Sequence, residues 1–307
     1  MSLLTIYLLT HNRPKLALQA IESILVQTDK NFKFVVSDNS SSDELRNLIV
    51  SRIGFEYLKR ELVLSAIDHG NKCLSEIKTE YFTLFHDDDL MLPNFVQDFR
   101  KAQALFPEAV AFGANAIVER HGVSSGLSFK STRAYVGPIS PNDLLRRYFS
   151  HHQLGIAPLP SYIYKTSALK GLHFDISGGK YSDVQWLSQW CAKGRLMWIA
   201  EPMMIYRLHG ANDGNFESRH DRLRFMAYLK SSYNMFSPEI LSDYRNFLYK
   251  KLLSALKERG NEKTYRLLSK FIAAHRYLRL SRWSFYQALT KKISTKVCLN
   301  LNKKHDD

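Results

Sequence analysis

Three consecutive carboxylates, Asp87, Asp88 and Asp89, are the residues of this chain whose type and spacing most clearly suggest chemistry. They follow residues 81–85, a run of aromatic, β-branched and apolar side chains that predicts a short strand buried on both faces. Carboxylates that remain unpaired at the end of a buried strand repel one another and are costly to desolvate. A divalent cation with oxygen ligands would offset their charge, so the triplet predicts a metal site. The alternative, an acidic solvated turn, explains the triplet about equally well.

Polar residues also follow two further predicted strands, at the point where each strand ends. Thr10, Asn12 and Arg13 follow the first strand, and Asp38 follows the second. In open parallel sheets, ligands bind just beyond the carboxyl ends of the strands. We therefore expect these side chains to open on the same edge of the sheet as the aspartates.

Apolar runs and helical spacing alternate along the first two-thirds of the chain. The predicted strands cover residues 3–9, 32–36, 55–58, 81–85, 110–118, 161–164, 196–199 and 203–206. The predicted helices begin at residues 14, 44, 66, 94, 143 and 178, and residues 119–142 are predicted to be a loop. This alternation predicts an α/β fold with a mostly parallel sheet, right-handed crossovers and flanking helices.

Composition divides the chain into two parts. Residues 1–217 carry 23 Lys and Arg against 22 Asp and Glu, whereas residues 218–307 carry 20 against 7. Residues 218–307 therefore hold nearly all of the +14 net charge, and their apolar spacing predicts helices. The three cysteines are widely spaced, which indicates a reducing compartment and argues against a zinc site or a disulfide framework. No apolar run reaches the roughly 18 residues that a transmembrane helix needs.

Four landmarks in chain order resemble the family 2 glycosyltransferases of the GT-A fold. They are Thr10-His11-Asn12-Arg13-Pro14 after the first strand, Asp38 after the second, Asp87-Asp88-Asp89, and Ser182-Asp183 with Tyr206-Arg207-x-His209 downstream. The resemblance covers about two-thirds of the chain. It implies a Rossmann-like GT-A catalytic domain over residues 1–217, followed by a basic helical extension over residues 218–307.

The resemblance also implies roles for these residues. Those expected to bind the nucleotide-sugar donor are Thr10, Asn12, Arg13, Asp38, Asp87 and Asp88. Asp89 is expected to bind Mn²⁺ or Mg²⁺, with Asp87 and His209 completing the shell. Asp38 would accept a hydrogen bond from the base, and a helix cap is its equally weighted alternative. His209 could instead contact the diphosphate, and its further alternative is an ordinary loop histidine.

Asp183 is the candidate general base, because sugar transfer needs a carboxylate that takes the proton of the acceptor hydroxyl. Its alternative is a plain acidic residue stabilised by the dipole of a helix N-terminus. The family often shows Glu-Asp at this point, whereas this chain has Ser182-Asp183. Contacts to the acceptor or sugar are expected from Gly178, Gly179, Tyr181 and Arg207.

The predicted function is inverting transfer of a sugar, with a UDP-sugar favoured as donor, to a saccharide acceptor that is lipid-linked. The resemblance places this reaction in bacterial surface polysaccharide synthesis, such as that of O-antigen, lipooligosaccharide or capsule. One alternative is a sugar nucleotidyltransferase, but residues 10–15 contain no glycine of the kind such enzymes use to hold a triphosphate. The other is a non-enzymatic nucleic-acid-binding protein, for which the basic tail shows no recognised motif.

The basic extension suggests a location for the protein. Residues 218–307 combine positive charge with apolar helical faces and with aromatics that include Tyr277, Trp283, Phe285 and Tyr286. Basic amphipathic helices with boundary aromatics suit an anionic membrane surface. The predicted location is therefore cytoplasmic, peripheral on the inner face of the membrane. The alternative is a helical subdomain that packs on the core or forms a homo-oligomer.

Overall fold

The structure, a computed structural model, describes residues 3–149, 155–209, 218–232, 234–258 and 260–269. The chain divides into two compact units, Met1–Leu144 with Leu154–Tyr228, and Leu145–Gln153 with Leu229–Asp307. The predicted division at residue 217 remains a prediction. The tail aromatics at residues 277–286 lie outside the described residues.

Within the described residues, strands and α-helices follow one another along the chain. The strands are β1 Leu4–Thr10, β2 Phe32–Asp38, β3 Glu56–Lys59, β4 Tyr81–His86, β5 Leu90–Met91, β6 Ala111–Arg120, β7 Val123–Leu127, β8 Tyr135–Val136, β9 Ile163–Lys165 and β10 Leu196–Leu208. The helices are α1 Pro14–Leu25, α2 Glu44–Ile49, α3 Ala66–Ser75, α4 Phe95–Leu105, α5 Pro141–Phe149, α6 Ser182–Lys193, α7 Arg219–Ser231 and α8 Pro238–Glu258.

The first unit is built on one sheet with the strand order β3-β2-β1-β4-β9-β6-β10-β5. The pairs β1–β2, β1–β4, β2–β3 and β6–β10 are parallel, while β9 runs antiparallel to both of its neighbours. Both faces of the sheet are buried, because Leu4, Ile6 and Leu8 of β1 pack in one apolar cluster and Tyr7 packs in another with Trp186. The predicted α/β fold is confirmed.

Two predictions about secondary structure are wrong. Residues 119–142 are not simply a loop, because β6 continues to Arg120 and turns through His121 and Gly122 into β7. Both turn residues have positive φ, 51° and 79°, as a tight hairpin turn requires. The strands predicted at 196–199 and 203–206 are one strand, β10, whose register shifts around Pro202. A bulge tolerates the proline, which cannot donate a ladder hydrogen bond.

The second unit contains an aromatic cluster. The ring of Phe149 lies 5.0 Å from that of Tyr244 and 5.3 Å from that of Phe247, measured between centroids. Lys251 lies 4.7 Å from the centroid of the Phe247 ring, which is cation–π range. Among the described residues, no helix combines the length and the apolarity that crossing a membrane requires.

Candidate active site

The carboxyl ends of β1, β2 and β4 meet at one edge of the sheet. The parallel register pairs Thr10 with Asp38 and Leu9 with His86. Asp87 therefore emerges beside the β1–α1 turn, and Asp38 lies one strand away. The structure brings together the predicted donor-binding residues, as expected from the parallel strand order.

Asp38 is fully buried, and its two carboxylate oxygens lie in a polar pocket. Its Oδ2 accepts hydrogen bonds from the Tyr57 hydroxyl at 2.6 Å and from Lys59 Nζ at 3.3 Å, and its Oδ1 accepts one from the Ser40 amide at 2.8 Å. Burial alone would raise the pKa of Asp38, but the hydrogen bonds from Ser40 and Tyr57 and the Lys59 charge outweigh it and lower that pKa. Asp38 is therefore an ionised acceptor. Sequence reasoning missed Tyr57 and Lys59, which lie on the weakly patterned strand β3.

The β1–α1 turn is tied to the loop after β2 and to the aspartate triplet. Asn12 has φ 53°, a left-handed conformation that asparagine tolerates, and its amide donates to Ser40 Oγ at 2.8 Å. Asp87 accepts from the His11 amide at 3.1 Å and from Arg13 Nη1 at 3.3 Å. Burial raises the pKa of Asp87, and the Arg13 charge opposes that shift only in part. Both oxygens of Asp87 are thus held by the turn.

Asp88, one of the residues predicted to bind the donor, contacts side chains from two parts of the chain. Its Oδ2 lies 3.0 Å from Arg13 Nη1 and 3.3 Å from His209 Nε2. These contacts join the first turn of the unit to the end of β10. Arg13 and His209 therefore converge on the middle carboxylate of the triplet.

Asp89 is fully buried and is held by the backbone of β10. Its Oδ1 accepts a hydrogen bond from the Arg207 amide at 2.9 Å, whereas its Oδ2 has no hydrogen-bond partner among the described residues. Burial and the neighbouring Asp88 charge raise the pKa of Asp89 well above its usual value. The Arg207 guanidinium donates to the Asp88 carbonyl and to Gln19 Oε1, so Arg207 braces the triplet. A contact from Arg207 to the acceptor remains a prediction.

The side-chain oxygen and nitrogen atoms at this edge of the sheet suit the binding of a divalent cation. One ligand atom from each of His86, Asp88 and Asp89 lies within 4.8 Å of the others. Asp89 Oδ2 is a buried carboxylate oxygen without a partner, which a cation would satisfy. Metal binding by Asp87 and His209 remains a prediction. Sequence reasoning missed His86, although it occupies the strand end directly before the triplet.

Asp183 lies at the start of α6 and is half-buried. Burial raises the pKa of its carboxyl to about 6, against the hydrogen bond that Oδ1 accepts from the Val184 amide at 2.7 Å. Burial and the charges of Asp89 and Asp183 raise the pKa of Tyr206, so both carboxylates lie close enough to the same phenol to perturb it. Asp183 therefore shares its surroundings with the aspartate triplet.

The turn before α6 is held by the start of α7. Asp221 Oδ1 accepts a hydrogen bond from the Lys180 amide at 3.1 Å. Gly179 has φ 55°, and a Cβ at this position would collide with the Asp221 carboxylate. A Cβ at Gly178 would collide with Gln185 Oε1, and Tyr181 is buried with its ring stacked on Phe225 at 4.6 Å. These residues fix the backbone that carries Asp183, and their contact with an acceptor remains a prediction.

Residues 5–153 match the sequence profile of the family described as glycosyl transferase family 2. The chain is also 24% identical over 303 residues to the GalNAc(5)-diNAcBac-PP-undecaprenol beta-1,3-glucosyltransferase of Campylobacter jejuni, covering 96% of this chain and 89% of the relative.

Two solved structures share the fold. One is S. aureus TarS 1-349 in complex with UDP-GlcNAc, with a TM-score of 0.60 and 15% identity over 80% of this chain and 72% of that one. The other is the mannosyltransferase PcManGT of Pyrobaculum calidifontis in complex with GDP-Man and Mn2+. Its TM-score is 0.55, with 15% identity over 97% of this chain and 80% of that one.

Proposed function

Because the chain belongs to the family 2 glycosyltransferases and has the GT-A fold, we propose that it is a cation-dependent, inverting transferase of sugars from a UDP-sugar. The observation that carries the proposal is a set of three carboxylates with different properties, of which Asp38 ends β2 and Asp89 follows β4 at one sheet edge, and Asp183 acts on the same Tyr206 phenol as Asp89. Asp38 is a buried ionised acceptor, Asp89 carries an oxygen without a partner among the described residues, and Asp183 has a pKa of about 6. Each has the properties that one part of the reaction needs.

In the proposed reaction Asp183 removes the proton of the acceptor hydroxyl as that oxygen attacks the anomeric carbon. The bond from the anomeric carbon to the phosphate oxygen breaks, and its electron pair leaves with the nucleoside diphosphate. Attack opposite the departing phosphate inverts the anomeric configuration. A carboxyl with a pKa near the working pH suits this task, since it is mostly ionised at neutral pH and still accepts a proton.

The donor end of the site would neutralise and orient the diphosphate. A divalent cation bound there supplies positive charge that stabilises the departing diphosphate. Arg13 adds a guanidinium beside Asp87 and Asp88. Asp38, held ionised at the end of β2, would accept the N–H of a uracil ring. The complex of TarS with UDP-GlcNAc supports a uridine donor, and that of PcManGT with GDP-Man makes guanosine the competing outcome.

Thermal unfolding of the full chain with a panel of nucleoside diphosphates and Mn²⁺ tests this proposal. A ligand that binds the folded state raises the melting temperature by mass action. UDP should give the largest shift, and Asp89→Ala should remove the part of the shift that depends on Mn²⁺. A larger melting-temperature shift with GDP than with UDP would overturn the uridine assignment. Equal shifts with UDP in Mn²⁺ and in EDTA would overturn the proposed dependence on a cation.

The proposed acceptor is a saccharide on a lipid carrier, in surface polysaccharide assembly on the inner face of the cytoplasmic membrane. The name of the Campylobacter relative specifies an undecaprenol-linked acceptor, and residues 218–307 carry a net charge of +13. Basic residues near an anionic surface contribute about 1 kcal/mol each, and salt screens this attraction. Flotation with anionic vesicles should show binding that weakens as salt rises and after removal of residues 275–307. Absence of binding at low salt would exclude the membrane surface.

A further inference from the structure

His86 is the last residue of β4 and directly precedes the aspartate triplet. Side chains alternate along a strand, and Phe82 and Leu84 pack in the apolar cluster that contains Trp186 and Trp190 of α6. His86 therefore lies on the α6 side of the sheet, at the edge where the carboxyl ends of β1 and β4 meet. It is partly buried rather than solvent-exposed.

The side chain of His86 differs from the other histidines at this end of the sheet. His69 contacts Ser37 Oγ at 2.7 Å, and His11 contacts the Asn39 carbonyl at 2.9 Å. The ring nitrogens of His86 have no hydrogen bond or ion pair with any residue in the described part of the chain. A ligand atom of His86 nevertheless lies within 4.8 Å of ligand atoms of Asp88 and Asp89.

Asp89 provides an independent indication that a ligand belongs at this point. Its side chain is fully buried, and its Oδ2 has no hydrogen-bond partner in the described ranges. A buried carboxylate oxygen without a partner costs free energy that a bound cation would recover. Two side chains with unused ligand atoms, the His86 imidazole and the Asp89 carboxylate, thus belong to the same group of His86, Asp88 and Asp89.

We propose that His86 is a cation ligand together with Asp88 and Asp89, and that its nitrogen makes the site select a transition metal such as Mn²⁺ over Mg²⁺. This inference rests on the proposed function, because it assigns the cation of that same site. Mg²⁺ binds proteins mainly through carboxylates and water, with strict octahedral geometry. An imidazole ligand favours first-row transition metals, whose affinities for nitrogen exceed those of Mg²⁺.

His209 is the competing nitrogen ligand, since its Nε2 lies 3.3 Å from Asp88 Oδ2. His86 is the last residue of β4, whereas His209 directly follows β10. Replacing each with glutamine removes the imidazole and keeps a polar side chain. His173, which is exposed, provides the matched control for the loss of a histidine elsewhere in the chain.

The test uses the full chain with UDP and Mn²⁺, and its main measurement is nitrogen coupling to the bound Mn²⁺ by pulsed electron paramagnetic resonance. The coupling should be present in the unmodified chain, His209→Gln and His173→Gln, and absent from His86→Gln. Titration calorimetry should show that His86→Gln lowers Mn²⁺ affinity by about tenfold or more, with a much smaller loss for Mg²⁺. His86→Asp should reduce the preference for Mn²⁺ over Mg²⁺, because all protein ligands of the cation would then be oxygens.

Bound Mn²⁺ without nitrogen coupling in the unmodified chain would overturn the proposal without any need for a variant that folds. Coupling that survives in His86→Gln and disappears in His209→Gln would overturn it in favour of His209. Either result leaves the proposed transferase intact, since the cation still binds. Failure of the unmodified chain to bind Mn²⁺ in the presence of UDP would overturn both this inference and the cation dependence on which it rests.

Discussion

The pH dependence of turnover provides a quantitative test of Asp183 as the general base. The pKa of its carboxyl is about 6, compared with an ordinary value of 3.8, because partial burial at the start of α6 disfavours the charged form. At pH 5 a carboxyl with a pKa of 6 is about one-tenth ionised, whereas an ordinary aspartate is more than about nine-tenths ionised. A base must be ionised to accept a proton, so activity is present above pH 6 and is lost as the pH falls through it.

We therefore expect kcat at pH 5 to be about tenfold below its plateau at pH 8. Asp183→Asn keeps the shape but cannot accept the proton, and it should lower kcat by about 10²-fold or more while donor affinity is unchanged. Asp183→Glu should retain part of the activity, and its kcat should still fall as the pH is lowered. Glu201→Gln, which removes an exposed carboxylate on β10, is the control and should match the unmodified chain.

The assay is steady-state transfer with saturating donor, acceptor and Mn²⁺ between pH 5 and 8, with donor dissociation constants measured in parallel. The parallel measurement matters because Asp87 and Asp89 also have raised pKa values and are proposed to act at the donor end. A kcat that is flat down to pH 5 would refute the assignment. So would near-native turnover by Asp183→Asn, and Asp183 would then be a helix-start residue stabilised by the dipole.

Asp38→Asn should weaken UDP binding by about tenfold, as expected for loss of a hydrogen bond to a charged acceptor, and should leave kcat nearly unchanged. An unchanged dissociation constant for UDP would exclude a role of Asp38 in binding the base. Arg207→Lys keeps the charge but loses the planar guanidinium that contacts the Asp88 carbonyl and Gln19, so the Mn²⁺-dependent affinity for the nucleotide should fall. An unchanged affinity by calorimetry would contradict the proposal that Arg207 supports the triplet. Asn115 makes hydrogen bonds to Ser128 and to the backbone of residues 116, 129 and 200. Asn115→Ala should therefore lower the free energy of unfolding, measured by urea denaturation, by about 3 kcal/mol. A decrease of less than about 1 kcal/mol would contradict this prediction.

The sequence predicts the sheet edge well because strong local signals coincide there. Pro14 begins α1 as predicted, and the apolar runs before Asp38 and Asp87 form the buried parallel strands β2 and β4. In a parallel sheet these strand ends share one edge, so the positions of the polar residues follow from topology alone. Fold class and the position of these polar residues at one edge are therefore predictable from local patterning.

The remaining features depend on contacts that local patterning does not specify. The turn between β6 and β7 uses His121 and Gly122, and β7 itself is exposed, so no apolar alternation marks it. Asp38 gains its acceptor character from Tyr57 and Lys59 on a neighbouring strand. Asp221 reaches the turn before Asp183 from the start of α7, 41 positions beyond Lys180. These long-range partners determine pKa values and backbone geometry, and only the folded chain reveals them.

The most direct test of the central claim is the affinity for UDP, measured by titration calorimetry in Mn²⁺ and in EDTA. Mn²⁺ is expected to increase the affinity of the full chain for UDP by about tenfold or more. Asp89→Asn should abolish this increase, since it removes a ligand and its charge, while Glu108→Gln, which alters a surface pair with Arg195, should retain it. Equal UDP affinity in Mn²⁺ and EDTA, or an undiminished effect of Mn²⁺ in Asp89→Asn, would contradict a cation-dependent nucleotide-sugar site at this edge of the sheet.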